Sequence, residues 1–114
     1  MIKVYGIKNC DSVKKVLSFF KKHNIAYELF DFKTQELPCT KIEAWLQKVD
    51  INKLFNARST TYRNLKLKEL NLEQKQKIEW LCRENLLIKR PVVEFDDEVI
   101  VGYNEQEYIT KFNL

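Results

Sequence analysis

Apolar and polar positions along this chain follow two alternating rhythms. Ile2 to Tyr5 is a short apolar run closed by Gly6, which predicts a strand. From Asp11 the period lengthens. Val13, Val16, Leu17 and Phe20 recur at i, i+3, i+4, i+7, lysines take the other face, and the pattern stops at His23-Asn24. That spacing predicts an amphipathic helix. Ile25 to Phe32 then alternates, with Ile25, Tyr27 and Leu29 against Ala26, Glu28 and Phe30. Aromatic and β-branched residues support a second strand there. The first unit reads as strand–helix–strand, and a parallel pairing would make the crossover right-handed.

The middle reads as helical. Thr40 with Glu43 forms a capping-box pattern ahead of Ile42, Trp45, Leu46 and Val49. Asp50 can cap a short turn from Ile51 to Phe55. A polar, basic loop follows, Asn56-Ala57-Arg58-Ser59-Thr60-Thr61-Tyr62-Arg63. Asn71 with Gln74 repeats the box pattern before a helix carrying Ile78, Leu81 and Cys82 on one face. Cys82 at that spacing reads as core. Pro91 to Phe95 and Val99 to Tyr103 are apolar and β-branched around Asp96-Asp97, which predicts a hairpin. Asn104 with Glu107 opens a terminal helix through Tyr108, Ile109 and Phe112. We expect one α/β domain over residues 1–114, with a helical insertion at about 38–88.

Composition narrows the class. At 114 residues with 45% hydrophobic side chains the chain can bury a core without staples, and 32% charged residues keep its surface wet. The net charge of +4 comes from 20 basic and 16 acidic residues that are interspersed, so most belong to solvated faces. Such a balance does not call for a nucleic-acid site, although a local basic cluster would favour small anions. Three cysteines, Cys10, Cys39 and Cys82, give an odd number without CxxC, which is not a disulfide framework. With one histidine, no four-ligand metal pattern exists. No apolar run has the length of a membrane span or the form of a signal peptide. The expected compartment is the cytoplasm, where thiols stay reduced.

The candidate chemistry begins at Cys10. It stands where the first strand gives way to the first helix. A thiol there meets free backbone N–H groups and the positive end of the helix dipole, and both favour the thiolate, the nucleophilic form. Lys8 adds positive charge beside it. Ser12 and the N–H groups that open the helix can receive an anion. No second cysteine has dithiol spacing, so an external thiol should resolve any covalent intermediate, with Cys39 as the internal alternative.

A reactive cysteine after the first strand, followed by β–α–β and a β–β–α ending, looks like a thioredoxin-like fold. In that fold a cis proline precedes the third strand beside the thiol, the place that Pro91 takes. Tyr5-Gly6-Ile7-Lys8-Asn9-Cys10-Asp11, Arg58-Ser59-Thr60-Thr61, Lys89-Arg90-Pro91 and Val101-Gly102-Tyr103-Asn104-Glu105 together resemble the arsenate reductase-like family over nearly the whole chain, closest to its YffB-type subgroup. The resemblance implies a reductase with Cys10 as nucleophile and no bound cofactor. Glutathione is then the co-substrate, and glutathione or glutaredoxin the partner, acting on a small anionic or disulfide substrate. It further implies that Arg58 and Arg90 hold the anion. The family's third arginine has no counterpart, since Ile100-Val101-Gly102 stands there, and Gly6 replaces the histidine four residues before the cysteine. Arsenate as substrate is therefore not implied. Spx-type transcriptional regulators share the Val-Gly-Tyr-Asn-Glu ending. Under that alternative the partner is the RNA polymerase α subunit, but Val13 stands in place of their second cysteine, and their basic C-terminal tail is not expected here.

Overall fold

Four strands pair into one mixed sheet. The computed structural model describes residues 1–114. The strands are β1 (Ile2–Gly6), β2 (Tyr27–Asp31), β3 (Val92–Phe95) and β4 (Glu98–Val101), in the spatial order β2-β1-β3-β4. β1 runs parallel to β2 from Ile2↔Tyr27 to Gly6↔Asp31, and antiparallel to β3 with Tyr5 opposite Val92. β3 and β4 form the hairpin expected from the sequence. Its turn residues Asp96 and Asp97 have φ of 45° and 62°. Two left-handed residues give the backbone twist a tight hairpin needs, and aspartate tolerates that region better than most side chains.

Helices α1 (Asp11–Lys22) and α6 (Glu105–Lys111) complete the first of two units, which comprises Met1–Asp31 and Arg90–Leu114. α1 buries Val13, Val16, Phe19 and Phe20. Leu17, expected on that face, is half-buried and packs at its margin. Phe19 takes the place because the buried Tyr108 ring stands 5.6 Å from it, edge-on, and also contacts Phe20, Tyr103 and Phe112. Val4, Val93, Phe95 and Ile100 supply the sheet side of this core. The order and pairing are those of a thioredoxin-like α/β fold.

The second unit, Phe32–Lys89, is helical: α2 (Cys39–Leu46), α3 (Ile51–Leu54), α4 (Thr60–Asn64) and α5 (Gln74–Arg83), with 3₁₀ turns at Leu67–Leu70 and Asn85–Leu87. Ile42, Trp45, Leu54, Leu67, Leu81, Leu87 and Ile88 are its fully buried residues. Its C-terminal end is tied back to the chain at the end of α3 by backbone bonds from Asn56 N–H to the Leu87 carbonyl (2.8 Å) and from Lys89 N–H to the Leu54 carbonyl (2.7 Å).

Caps are where the structure departs from the pattern. α2 begins at Cys39 behind Pro38, so Thr40 lies inside the helix and caps nothing. Proline's fixed φ and extended ψ of 141° set the entry there instead. α5 begins behind Glu73, whose N–H donates to Gln76 Oε1 (2.8 Å). Asn71, with φ 47°, closes the preceding 3₁₀ turn rather than opening a helix. Asp50 and Asn104 cap as expected, accepting from Asn52 N–H (2.8 Å) and Glu107 N–H (3.0 Å).

The cysteine expectation is overturned. Cys39 and Cys82 form a disulfide, with Cα atoms 5.0 Å apart. Cys82 is half-buried and Cys39 exposed, so Cys82 is not a core thiol and Cys39 is not a free resolving thiol. The two lie 43 positions apart, and only the antiparallel return of the chain through four helices brings them together.

Candidate active site

Cys10 is the free cysteine, and it is the N-cap of α1. Its backbone is extended (φ −98°, ψ 126°), its N–H donates to the Ile7 carbonyl at 3.3 Å, and its carbonyl accepts the Lys14 N–H at 2.9 Å. The side chain makes no capping hydrogen bond. The thiol, partly exposed, therefore occupies the place where serine or aspartate would cap, facing the first free N–H groups of a twelve-residue helix. Ser12 is half-buried in that first turn, and Lys8 is exposed in the preceding loop.

The distance between β1 and α1 is set by Gly6. A Cβ built there would lie 2.6 Å from Val13 Cγ2, inside van der Waals contact. Glycine lets the end of β1 and the first turn of α1 approach closely, which fixes where the helix, and with it Cys10, begins. One residue earlier, the Tyr5 hydroxyl donates to Glu94 Oε1 at 2.8 Å, which ties β1 to β3. Burial, then the Glu94 carboxylate, pushes the Tyr5 phenol far above its ordinary range, so it remains a donor.

Arg90 and Pro91 come to the same strand end by register. Val92 lies opposite Tyr5, so the next residue back, Pro91, lies beside Gly6. The Arg90–Pro91 bond is cis and Pro91 is buried. The Pro91 carbonyl accepts the Gly102 N–H at 2.8 Å, and the Gly102 carbonyl accepts the Tyr108 hydroxyl at 2.8 Å. Gly102 has φ 83°, a conformation that favours glycine. The Val101–Glu105 motif is thus scaffolding: it holds Pro91. Arg90 is half-exposed, with its Nε buried.

Arg58 belongs to the helical unit. It is exposed in the loop before α4, its N–H donates to Asn56 Oδ1 (3.0 Å), and its carbonyl accepts Arg63 Nη1 (2.9 Å). With Tyr62, Arg63, Lys66, Lys68 and Glu69 it lines a cavity of about 610 Å³. Ser59, the buried polar residue of this segment, caps α4 by accepting the Tyr62 N–H at 3.0 Å. The sequence reading missed Arg63 as the residue that braces the Arg58 carbonyl; the five-residue separation of the two around a capped helix start was the available signal.

A half-exposed thiol at a helix start and a buried cis proline at the adjoining strand end define a thioredoxin-like protein with a single free cysteine. The chain belongs to the ArsC family, whose model matches residues 5–111. It is 39% identical to an uncharacterized protein of Haemophilus influenzae over 98% of this chain and 99% of that one. The solved structure of the protein YffB resembles it with a TM-score of 0.88 at 28% identity, covering 96% of this chain and 97% of YffB. A global transcriptional regulator of Lactococcus lactis, Spx 2, is 27% identical over 94% of this chain and 83% of its own length. The protein is arsenate reductase-related, and no helix in it is long and apolar enough to cross a membrane.

Proposed function

We propose that the protein is a cytoplasmic thiol oxidoreductase that works through Cys10 alone and uses glutathione as its reductant. The observation that carries this reading is the free, partly exposed Cys10 side chain at the start of α1, left without a capping bond. The thiolate attacks the glutathione-side sulfur of a mixed disulfide. A Cys10–glutathione disulfide forms, and the substrate sulfur leaves as a thiolate that takes a proton. A second glutathione thiolate then attacks the adduct, releasing glutathione disulfide and restoring Cys10. Helix N–H groups and Arg90 are suited to a carboxylate of the tripeptide, since guanidinium binds carboxylate through two parallel bonds. Lys8 and Ser12 serve as flanking donors. No dithiol partner is needed.

Treatment with glutathione disulfide tests this. Peptide mapping should find one predominant adduct, on Cys10, and Arg90→Ala should form it several-fold more slowly than wild type. An unmodified Cys10, together with wild-type binding of the chain to the RNA polymerase α subunit, would replace this reading with that of an Spx-like regulator.

A further inference from the structure

The Cys39–Cys82 disulfide lies outside the Cys10 site and has its own asymmetry. Cys39 is the first residue of the eight-residue α2, with no acidic residue in its first turn and Lys41 two positions on. Cys82 lies in the last turn of the ten-residue α5. One half of the disulfide therefore sits in the first turn of a helix, at its positive end, and the other in the last turn of another, near its carbonyl end. A thiolate is stabilised in the first place and disfavoured in the second. Cys39 is exposed and Cys82 half-buried, so a thiol in solution can reach the bond.

The chain entering Cys39 and the chain leaving Cys82 form the two walls of a cavity of about 370 Å³, lined among others by Lys33, Glu36, Arg83 and Glu84. Asn85 joins the walls, accepting the Leu37 N–H at 2.9 Å and donating to the Leu81 carbonyl at 3.0 Å. Two cations and two carboxylates in one cavity suit a ligand that itself carries both signs.

We propose that Cys39–Cys82 is a second thiol-exchange site, reduced by small zwitterionic peptide thiols, with Cys82 taking the adduct and Cys39 departing as the thiolate. The thiolate of the peptide attacks Cys82 Sγ. The new S–S bond forms there, the Cys39–Cys82 bond breaks, and its electron pair leaves on Cys39. A second peptide thiolate attacks the peptide sulfur of the adduct. Peptide disulfide departs, and Cys82 receives the electron pair and then a proton from water. Two thiols are oxidised to one disulfide while the protein's disulfide becomes two thiols. The inference rests on the cytoplasmic location proposed above, where disulfides are usually transient and catalytic or redox-sensing. The inference does not depend on Cys10.

The test uses the full-length Cys10→Ser variant, purified without reductant, with the wild-type protein run in parallel in case the variant is unstable. Each is pulsed with glutathione under native conditions, trapped with iodoacetamide and digested with trypsin, which separates Cys39 (peptide 34–41) from Cys82 (peptide 78–83). The expected product carries glutathione on 78–83 and the alkyl group on 34–41, at least fivefold over the reverse. At equal thiolate concentration, glutathione should react at least threefold faster than the uncharged 2-mercaptoethanol. Three results would each overturn the proposal: the reverse labelling, equal rates for the two thiols, or a bond that yields only after denaturation.

Discussion

The close approach of Gly6 to Val13 makes a sharp prediction about what holds Cys10 in place. In Gly6→Ala the new methyl would sit 2.6 Å from Val13 Cγ2, roughly an ångström inside normal contact. Val13 is fully buried and β-branched, so it has no free rotamer to retreat into. The first turn of α1 must then shift. Overpacking of this kind costs about 1–3 kcal/mol, against which alanine regains about 0.4–1 kcal/mol by restricting the unfolded chain. The net expectation is a loss of about 1–2 kcal/mol, or a fall in Tm of about 4–8 °C for a chain of this size. Urea titrations of Gly6→Ala, Val13→Ala and the double variant measure the coupling directly. Val13→Ala removes the clashing methyl, so the double variant should be more stable than the sum of the two single losses by about 1 kcal/mol or more. Glutathione addition to Cys10 should slow in Gly6→Ala and recover in the double variant. Additive losses within about 0.3 kcal/mol would show that the contact does not set the distance between β1 and α1.

Other expectations follow from single interactions. Tyr5 and Tyr108 both have phenols pushed upward, chiefly by burial, so the unfolded chain loses these protons first as pH rises through about 10. Their contribution is complete below that pH and falls above it, by about 1.4 kcal/mol per pH unit for each tyrosine. Urea midpoints between pH 9 and 11 should drop accordingly, less steeply in Tyr108→Phe, and a flat profile would contradict the burial argument. Tyr108→Phe itself leaves the Gly102 carbonyl without its 2.8 Å donor and should cost about 1–3 kcal/mol in chemical denaturation at pH 7. Converting both Cys39 and Cys82 to serine removes a link across 43 positions, and chain entropy puts that loss at about 4 kcal/mol. A difference under about 1 kcal/mol between oxidised wild type and this variant would mean that the helical unit is already restrained without the link.

The sheet and its two flanking helices were legible because each rests on a short-range rhythm. The alternating run became β2, the apolar, β-branched runs around Asp96-Asp97 became β3 and β4, and the i, i+3, i+4 stripe became α1. The choice of Phe19 over Leu17 was not legible, because it is made by Tyr108 at the far end of the chain, and no local window contains both. The caps of α2 and α5 slipped for a related reason. Thr40–Glu43 and Asn71–Gln74 have the spacing of a capping box, but Pro38 and the left-handed Asn71 decide where the backbone turns. At the site, Cys10 could be named from sequence because strand ends and helix starts are local features, whereas Arg90 and Pro91 were named through the family resemblance. The Cys39–Cys82 bond could not, since it depends on how four helices fold back over the intervening chain.

The Val101–Glu105 segment carries structure rather than chemistry. Val101 pairs with Val92, the Gly102 N–H holds the Pro91 carbonyl, the Tyr108 hydroxyl holds the Gly102 carbonyl, and Asn104 caps the helix that brings Tyr108 into the core. Val101, Gly102 and Asn104 thus serve one end, keeping Pro91 at the mouth of β1. A frame of this kind would serve the proposed reductase and the alternative regulator alike. What distinguishes one function from the other must lie in side chains that the frame leaves free to vary. In this chain these are Cys10 at the start of α1, valine rather than cysteine at position 13, and Arg90 beside the proline. Val13 is also the residue that Gly6 packs against, fully buried. With valine at position 13, the proposed chemistry at α1 would take its resolving thiol from elsewhere.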